Sequence, residues 1–239
     1  MLSLRQKPSR PLVSASVLSA DFGRMAEDAQ SVLDAGADLL HVDVMDGHFA
    51  PNLTMGADMI RGLRRHLPET YLDVHLMVER PVDYIESFAK AGANMLTFHV
   101  EVCEPLRPGG YDASDVVRQV HEVGCDAGLV VNPPTSLEDA LRVIDPVLDD
   151  LQMVLIMSVH PGKSGQTFMP EVLPKARGLR EHAGDRLRIE MDGGLNPRTC
   201  REAAAHGVDV MVTASALFGS DDRAGVIRAF HESSLSGPG

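Results

Sequence analysis

The segment Asp34–Val42 reads DAGADLLHV. Its pattern changes period at Gly36. Apolar residues before the glycine follow a helical repeat, and those after it run as a buried strand does. The same passage recurs as KAGANMLTF (90–98), EVGCDAGLV (122–130) and AHGVDVMV (205–212). Each has a glycine that stops a helix, a short turn, and a strand. The repetition is one of architecture and does not require a recent duplication.

Working outward, eight strand-like runs appear: PLVSASVL (11–18), DLLHVDVM (38–45), YLDVHLMV (71–78), MLTFHVE (95–101), DAGLVVN (126–132), MVLIMSV (153–159), RLRIEMD (186–192) and DVMVTAS (209–215). Most are rich in Val, Leu, Ile and Met, as strands covered on both faces should be. Helical patterns lie between them. FGRMAEDAQSVLDAG (22–36) ends on Gly36, and VDYIESFAKAG (82–92) follows Pro81 and stops at Gly92. NPRTCREAAAHG (196–207) offers Asn196 as N-cap, Pro197 in the first turn and Gly207 as the stop. About eight βα units without a linker predict an α/β chain forming one (β/α)8 TIM barrel over residues 11–231. Flexible tails are expected over 1–10 and 232–239. A doubly wound open sheet is the second choice, but the first strand lacks the Gly-rich dinucleotide turn.

Composition removes several function classes. The 239 residues carry a net charge of −12, 4% aromatics and no Trp. There is neither a basic stripe for nucleic acid nor a set of stacking aromatics. A small anion remains an acceptable ligand, because backbone N–H groups bind phosphate without a positive surface. Cys103, Cys125 and Cys200 are far apart, which suits a reducing cytosol. The apolar runs are too short to span a membrane, and MLSLRQKPSR lacks the apolar run of a secretory signal. A cytoplasmic location is expected.

In a parallel barrel the chemistry gathers at the C-terminal ends of the strands. Those ends carry Ser16, His41, Asp43, His75, His99, Glu101, Asn132, His160, Asp192 and Ser215. His99 and His160 read as structural histidines as readily as ligands. His41, Asp43, His75 and Asp192 are different: imidazoles and carboxylates from three strands make a divalent-metal site. Burying two carboxylates together without a cation would be costly. Phosphate is suggested by the loop HPGKSGQTF (160–168), by the DGG turn at 192–194, and by TASALFGS (213–220) before a short helical turn. Met45, Met77 and Met157 sit at strand ends beside polar candidates. They are core filler or an apolar ring that keeps water from the site.

HVDVMDGHFAPNLTMG, DVHLMV, LVVNPPT, MSVHPGxxGQ and MDGG, in this order and spacing, resemble the ribulose-phosphate 3-epimerase family over about residues 14–218. The resemblance implies a TIM barrel that interconverts D-ribulose 5-phosphate and D-xylulose 5-phosphate with one divalent metal. Zinc or ferrous iron comes ahead of manganese or cobalt. It implies His41, Asp43, His75 and Asp192 as metal ligands and Asp43 with Asp192 as the acid/base pair. Ser16 and His75 would touch substrate. Gly162, Lys163, Ser164, Gly165, Gly193, Gly194, Ala214 and Ser215 fall where the family holds phosphate. Met45, Met77 and Met157 would shield a cis-enediolate. Inverting C3 of a 2-ketose removes a proton from one face and returns one to the other, so two opposed carboxylates are wanted. The resemblance also implies a homo-oligomer, a dimer or a hexamer.

The chain departs from the family at the phosphate end. Lys163 and Ser164 stand where GFGGQ is common, His160 where Glu or Asn is frequent, and Ala214 where Gly is usual. A side chain at a glycine position obstructs close backbone approach, while Lys163 offers a point charge instead. Two other readings are a 3-epimerase for a hexulose 6-phosphate or tetrulose phosphate, and a barrel that binds a sugar phosphate without turnover. The second has no use for two opposed proton carriers. No strand-end Lys offers a Schiff base.

Overall fold

The computed structural model describes residues 2–234 of the 239. Eight parallel strands close into a barrel in sequence order, with the first paired to the last. They are β1 (Leu12–Ser16), β2 (Leu39–Met45), β3 (Leu72–Met77), β4 (Met95–His99), β5 (Asp126–Val131), β6 (Met153–Met157), β7 (Arg188–Asp192) and β8 (Val210–Thr213). The helices between and after them are α1 (Met25–Asp34), α2 (Ala57–His66), α3 (Ile85–Ala91), α4 (Ala113–Glu122), α5 (Leu137–Ile144), α6 (Leu173–Ala183), α7 (Thr199–Ala205), α8 (Ser215–Phe218) and α9 (Arg223–His231). The single-domain TIM barrel read from the sequence is the observed fold. No helix of the described residues is long and apolar enough to cross a membrane.

The four glycines that end the repeated passage take left-handed φ values: Gly36 112°, Gly92 109°, Gly124 83° and Gly207 86°. A side chain would be strained there. Two of these junctions share a further device. The Arg64 guanidinium donates to the Gly92 carbonyl and to Asn94, and Arg180 does the same at Gly207 and Asp209. Each arginine thereby covers carbonyls that the helix end leaves open. Helix starts fall later than the patterns suggested. Phe22–Arg24 and Pro81–Asp83 are 3-10 turns before α1 and α3. α7 likewise begins later than expected, at Thr199, and Asn196 lies in the turn before it, accepting from the N–H groups of Arg198 and Thr199.

Strand side chains alternate between two cores. Outward residues such as Val42, Val44, Val74, Leu76 and Ile189 pack against the helices. Inward residues stack in layers. The lowest layer holds Leu12, Leu39, Tyr71, Met95, Met153 and Val210. Leu4 closes it from below and is 1% exposed. The segment expected as an N-terminal tail therefore plugs the barrel floor, because the inward ring of apolar side chains would otherwise face water. Asp38 ties the first and last units together, accepting from Val13 N, Arg10 and His231. Of the expected C-terminal tail, Ser233 is buried, and 235–239 lie outside the described residues.

Register decides what meets at the mouth. In the paired strands His41 stands opposite Asp73, Asp43 opposite His75, Met45 opposite Met77, and Met157 opposite Asp192. Residues paired this way share one layer and one face.

Candidate active site

His41, Asp43 and His75 converge on one point at the C-terminal mouth. His41 Nε2 lies 3.4 Å from Asp43 Oδ1 and 3.4 Å from His75 Nδ1, and His75 Nδ1 lies 3.5 Å from Asp43 Oδ1. Asp192 joins from β7, so that one ligand atom from each of the four lies within 4.8 Å of the others. Both histidines are fully buried and Asp43 nearly so. Ser16 reaches the same carboxylate, its hydroxyl donating to Asp43 Oδ2 at 2.6 Å. The sequence-derived set is thus assembled from β1, β2, β3 and β7.

The electrostatics show a deficit of positive charge. Burial raises the Asp192 carboxyl to about 7, with the neighbouring Asp43 charge adding to the effect. Burial would also raise Asp43, but the adjacent His41 and His75 outweigh it and hold that carboxyl well below the usual range. For His41 the charges of Asp43 and Asp73 overcome burial and raise the imidazole well above its ordinary value. Burial, with its histidine neighbours, drops His75 to about 4, against the pull of Asp43. Of the four, His41 and Asp192 are thus pushed toward their protonated forms and Asp43 and His75 toward proton loss. The donor set fits a divalent metal: two nitrogens, two carboxylates, and spacing within bridging reach. This cluster could hold one such ion.

Each imidazole is anchored behind the site. His41 Nδ1 is 2.7 Å from Asp73 Oδ2. A carboxylate accepts, so Nδ1 is the donor there and Nε2 is the nitrogen left facing the site. His75 Nε2 is 2.9 Å from His99 Nε2, and His99 Nδ1 is 3.1 Å from Glu101 Oε2. His99 is therefore joined to the site through His75, while the exposed His160 only rims the cleft.

A solvent-open cleft lies above these residues, with room of about 50 Å³ for water-sized groups. Met45, Met77 and Met157, all buried, form part of its wall as the strand ends suggested. On its late-strand side lie Gly162, Lys163, Ser164, Gly165, Gly193, Gly194, Ala214 and Ser215. Gly194 takes φ +65°, and a Cβ there would stand 2.4 Å from the Phe168 backbone nitrogen. Gln166 clasps the loop by donating to the carbonyls of His160 and Lys163, and Asn52 reaches across to the Gly162 carbonyl. The departures at Lys163, Ser164 and Ala214 impose no left-handed strain. Among the described residues only glycines have positive φ, and Ala214 sits at −120°.

Sequence reasoning missed Asp73 and Glu190. It searched only strand ends, and these lie one layer deeper, two residues before His75 and Asp192 on the same inward face. Period two places them on that face, and register sets Asp73 beside His41. Glu190 is fully buried, 3.8 Å from His41 Nδ1. Burial and the Asp73 charge raise its carboxyl well above the ordinary value.

Comparison with known proteins is consistent over the whole barrel. The model of the "Ribulose-phosphate 3 epimerase family" matches residues 12–218. The cytoplasmic isoform of ribulose-phosphate 3-epimerase from Oryza sativa is 41% identical over 221 residues, 92% of this chain and 93% of that protein. Ribulose-phosphate 3-epimerase of Escherichia coli is 43% identical over 220 residues, covering 90% and 92%. That of Bacillus subtilis is 41% identical over 215, covering 88% and 94%. Among solved structures, 3-keto-L-gulonate-6-phosphate decarboxylase from Vibrio cholerae superposes with a TM-score of 0.68 at 12% identity, over 95% of this chain and 98% of that one. The 3-hexulose-6-phosphate synthase of Salmonella typhimurium gives 0.64 at 16%, over 94% and 98%. At such identities the likeness is one of fold.

Proposed function

The chain belongs to the ribulose-phosphate 3-epimerase family, and from that premise we propose how its residues carry the reaction. The activity is an isomerase's: inversion at C3 between D-ribulose 5-phosphate and D-xylulose 5-phosphate, on a phosphorylated sugar substrate. Asp43 is the proton carrier on one face of C3 and Asp192 the carrier on the other, with their roles exchanged in the reverse direction. The observation that carries this reading is the convergence of two carboxylates from β2 and β7, three strands apart around the closed barrel, on one cleft. Ser16 orients Asp43 through its 2.6 Å hydrogen bond.

His41, Asp43, His75 and Asp192 would hold one divalent metal, zinc or ferrous iron ahead of manganese or cobalt given two nitrogen and two oxygen donors. When bound, it supplies Lewis acidity to offset charge on the substrate's C2 oxygen. Met45, Met77 and Met157 exclude water from the cis-enediolate, since thioethers carry no proton to lose. Gly162, Lys163, Ser164, Gly165, Gly193, Gly194, Ala214 and Ser215 take the phosphate, with Lys163 adding a point charge. The protein works as a cytoplasmic homo-oligomer, dimer or hexamer, a location in keeping with the name of the rice relative.

The test is isotope exchange. In D2O, ribulose 5-phosphate should gain deuterium at C3. Asp43→Asn and Asp192→Asn should each abolish net epimerisation, and a fully active variant removes that residue from the mechanism. Hexulose 6-phosphate and tetrulose phosphate, run beside it, measure how far the Lys163 and Ser164 loop shifts preference.

A further inference from the structure

Behind His75 runs a hydrogen-bonded line that the proton chemistry does not use. His75 Nε2 meets His99 Nε2 at 2.9 Å, and His99 Nδ1 meets Glu101 Oε2 at 3.1 Å. Glu101 is held from its other side: its Oε1 accepts from the Asn132 backbone N–H at 2.9 Å and from the Thr135 hydroxyl. Lys175 in turn donates to the Asn132 carbonyl. His99 is fully buried, with the Phe49 ring 4.4 Å from its own.

The proton positions along this line follow from one fixed point. The Asn132 N–H is a backbone donor whose direction cannot change, so Glu101 must accept there. Hydrogen bonds from His99, Thr135 and Asn132 overcome burial and hold the carboxyl below its ordinary range, so it is an acceptor throughout. His99 Nδ1 must then donate, which leaves His99 Nε2 as an acceptor. His75 Nε2 must donate to it, which leaves the lone pair on His75 Nδ1, the atom that faces Asp43 and His41.

We propose that His99 and Glu101 are positioning residues, which set the tautomer and orientation of His75 so that its Nδ1 is presented as a metal ligand. The proposal rests on the metal reading of the four-residue site. It joins that site to the loop after β5, well away from substrate. Histidine ligands need such a partner because a free imidazole divides between tautomers and rotates.

Glu101→Gln is the sharp test, because it keeps shape and reverses the line. The Gln oxygen must stay on the Asn132 N–H, so its amide NH2 faces His99 Nδ1. His99 then turns donor at Nε2, and His75 carries its proton on Nδ1, toward the metal. Zn2+ affinity of the folded protein, measured by competition with a chromophoric chelator, should fall about 10- to 100-fold. Glu101→Ala only removes the constraint and should lose no more than Gln does. Nitrogen-15 histidine spectra of the zinc-loaded proteins should show His75 protonated at Nε2 in the wild type and lose that signature in Glu101→Gln. His99→Phe keeps the packing against Phe49 and should also weaken zinc. Unchanged affinity in Glu101→Gln, or a larger loss in Glu101→Ala than in Glu101→Gln, overturns the proposal, since packing alone would rank them that way. If the wild type itself binds no zinc or other divalent ion, the metal reading falls and takes this one with it. Zinc bound equally by wild type and variant overturns this one alone.

Discussion

Leu4→Ala should destabilise the protein strongly although the residue lies in a short segment before the first strand. Leu4 is 1% exposed and packs with Leu12, Leu39, Tyr71, Met95, Met153 and Val210 at the barrel floor. The substitution removes three buried carbon groups, worth roughly 2.4 kcal/mol at ~0.8 each. Rigid β-sheet walls cannot collapse onto the space, so a cavity cost adds to this, and Leu→Ala losses in cores run from about 2 to 5 kcal/mol. The plug enters from the end and has some freedom to settle, so the lower half, about 2–3 kcal/mol, is expected. For a chain of this size each kcal/mol moves the melting temperature by about 2–4 °C, which gives roughly 4–12 °C. The assay is urea and thermal unfolding of wild type and variant, with epimerase turnover measured beside them at 25 °C. Turnover should be unchanged, because Leu4 sits at the opposite end of the barrel from Asp43 and Asp192. A loss below about 0.5 kcal/mol, the scale of ordinary surface changes, would refute the plug and restore the segment to a frayed tail.

Asp38→Asn should cost about 1.5–3 kcal/mol at neutral pH, the worth of hydrogen bonds to a charged group. Burial alone would raise the Asp38 carboxyl, but His231, Arg10 and the Val13 N–H hold it below 3.8. A depressed folded-state pKa stabilises above the unfolded value and is lost as pH falls through the folded one. The gap between wild type and variant in acid-dependent melts should therefore close below about pH 4. Gly194→Ala should raise KM for the phosphorylated ketose more than it lowers kcat, because the new Cβ collides with the Phe168 and Gln166 backbone of the phosphate-side loop; an unchanged KM separates that loop from phosphate. Stripping divalent metal with a chelator should abolish C3 exchange and lower the melting temperature, with both restored on adding the ion back. At a hundredfold excess over Kd the ion stabilises by about 2.7 kcal/mol, so an unaltered melting curve counts against the site.

The legibility of this chain follows from periodicity. Gly36, Gly92, Gly124 and Gly207 could be read as helix stops because only glycine sits easily at their φ values. His41 and Asp43 could be placed on one face because strand side chains alternate every two residues. Asp73 and Glu190 obey the same alternation, but their depth in the barrel depends on strand register, which the sequence does not display. Leu4 gave no periodic signal at all. Its burial depends on six residues from strands β1, β2, β4, β6 and β8 and the approach to β3 forming a ring with an open floor. At Ala214 the residue type raised the question of obstructed backbone approach, and its φ of −120° shows only that the alanine carries no left-handed strain.

By itself, then, the sequence determined the eightfold alternation, the polar strand ends and the four residues His41, Asp43, His75 and Asp192, because these depend on local periods of two and 3.6. Only the tertiary structure decided which nitrogen of each histidine faces the site, since that depends on Asp73, His99 and Glu101 across neighbouring strands. It alone brought a carboxylate oxygen of Asp192 on β7 within 4.8 Å of ligand atoms of His41, Asp43 and His75 on β2 and β3, because ring closure, and no local preference, sets the distance between strands far apart in the chain.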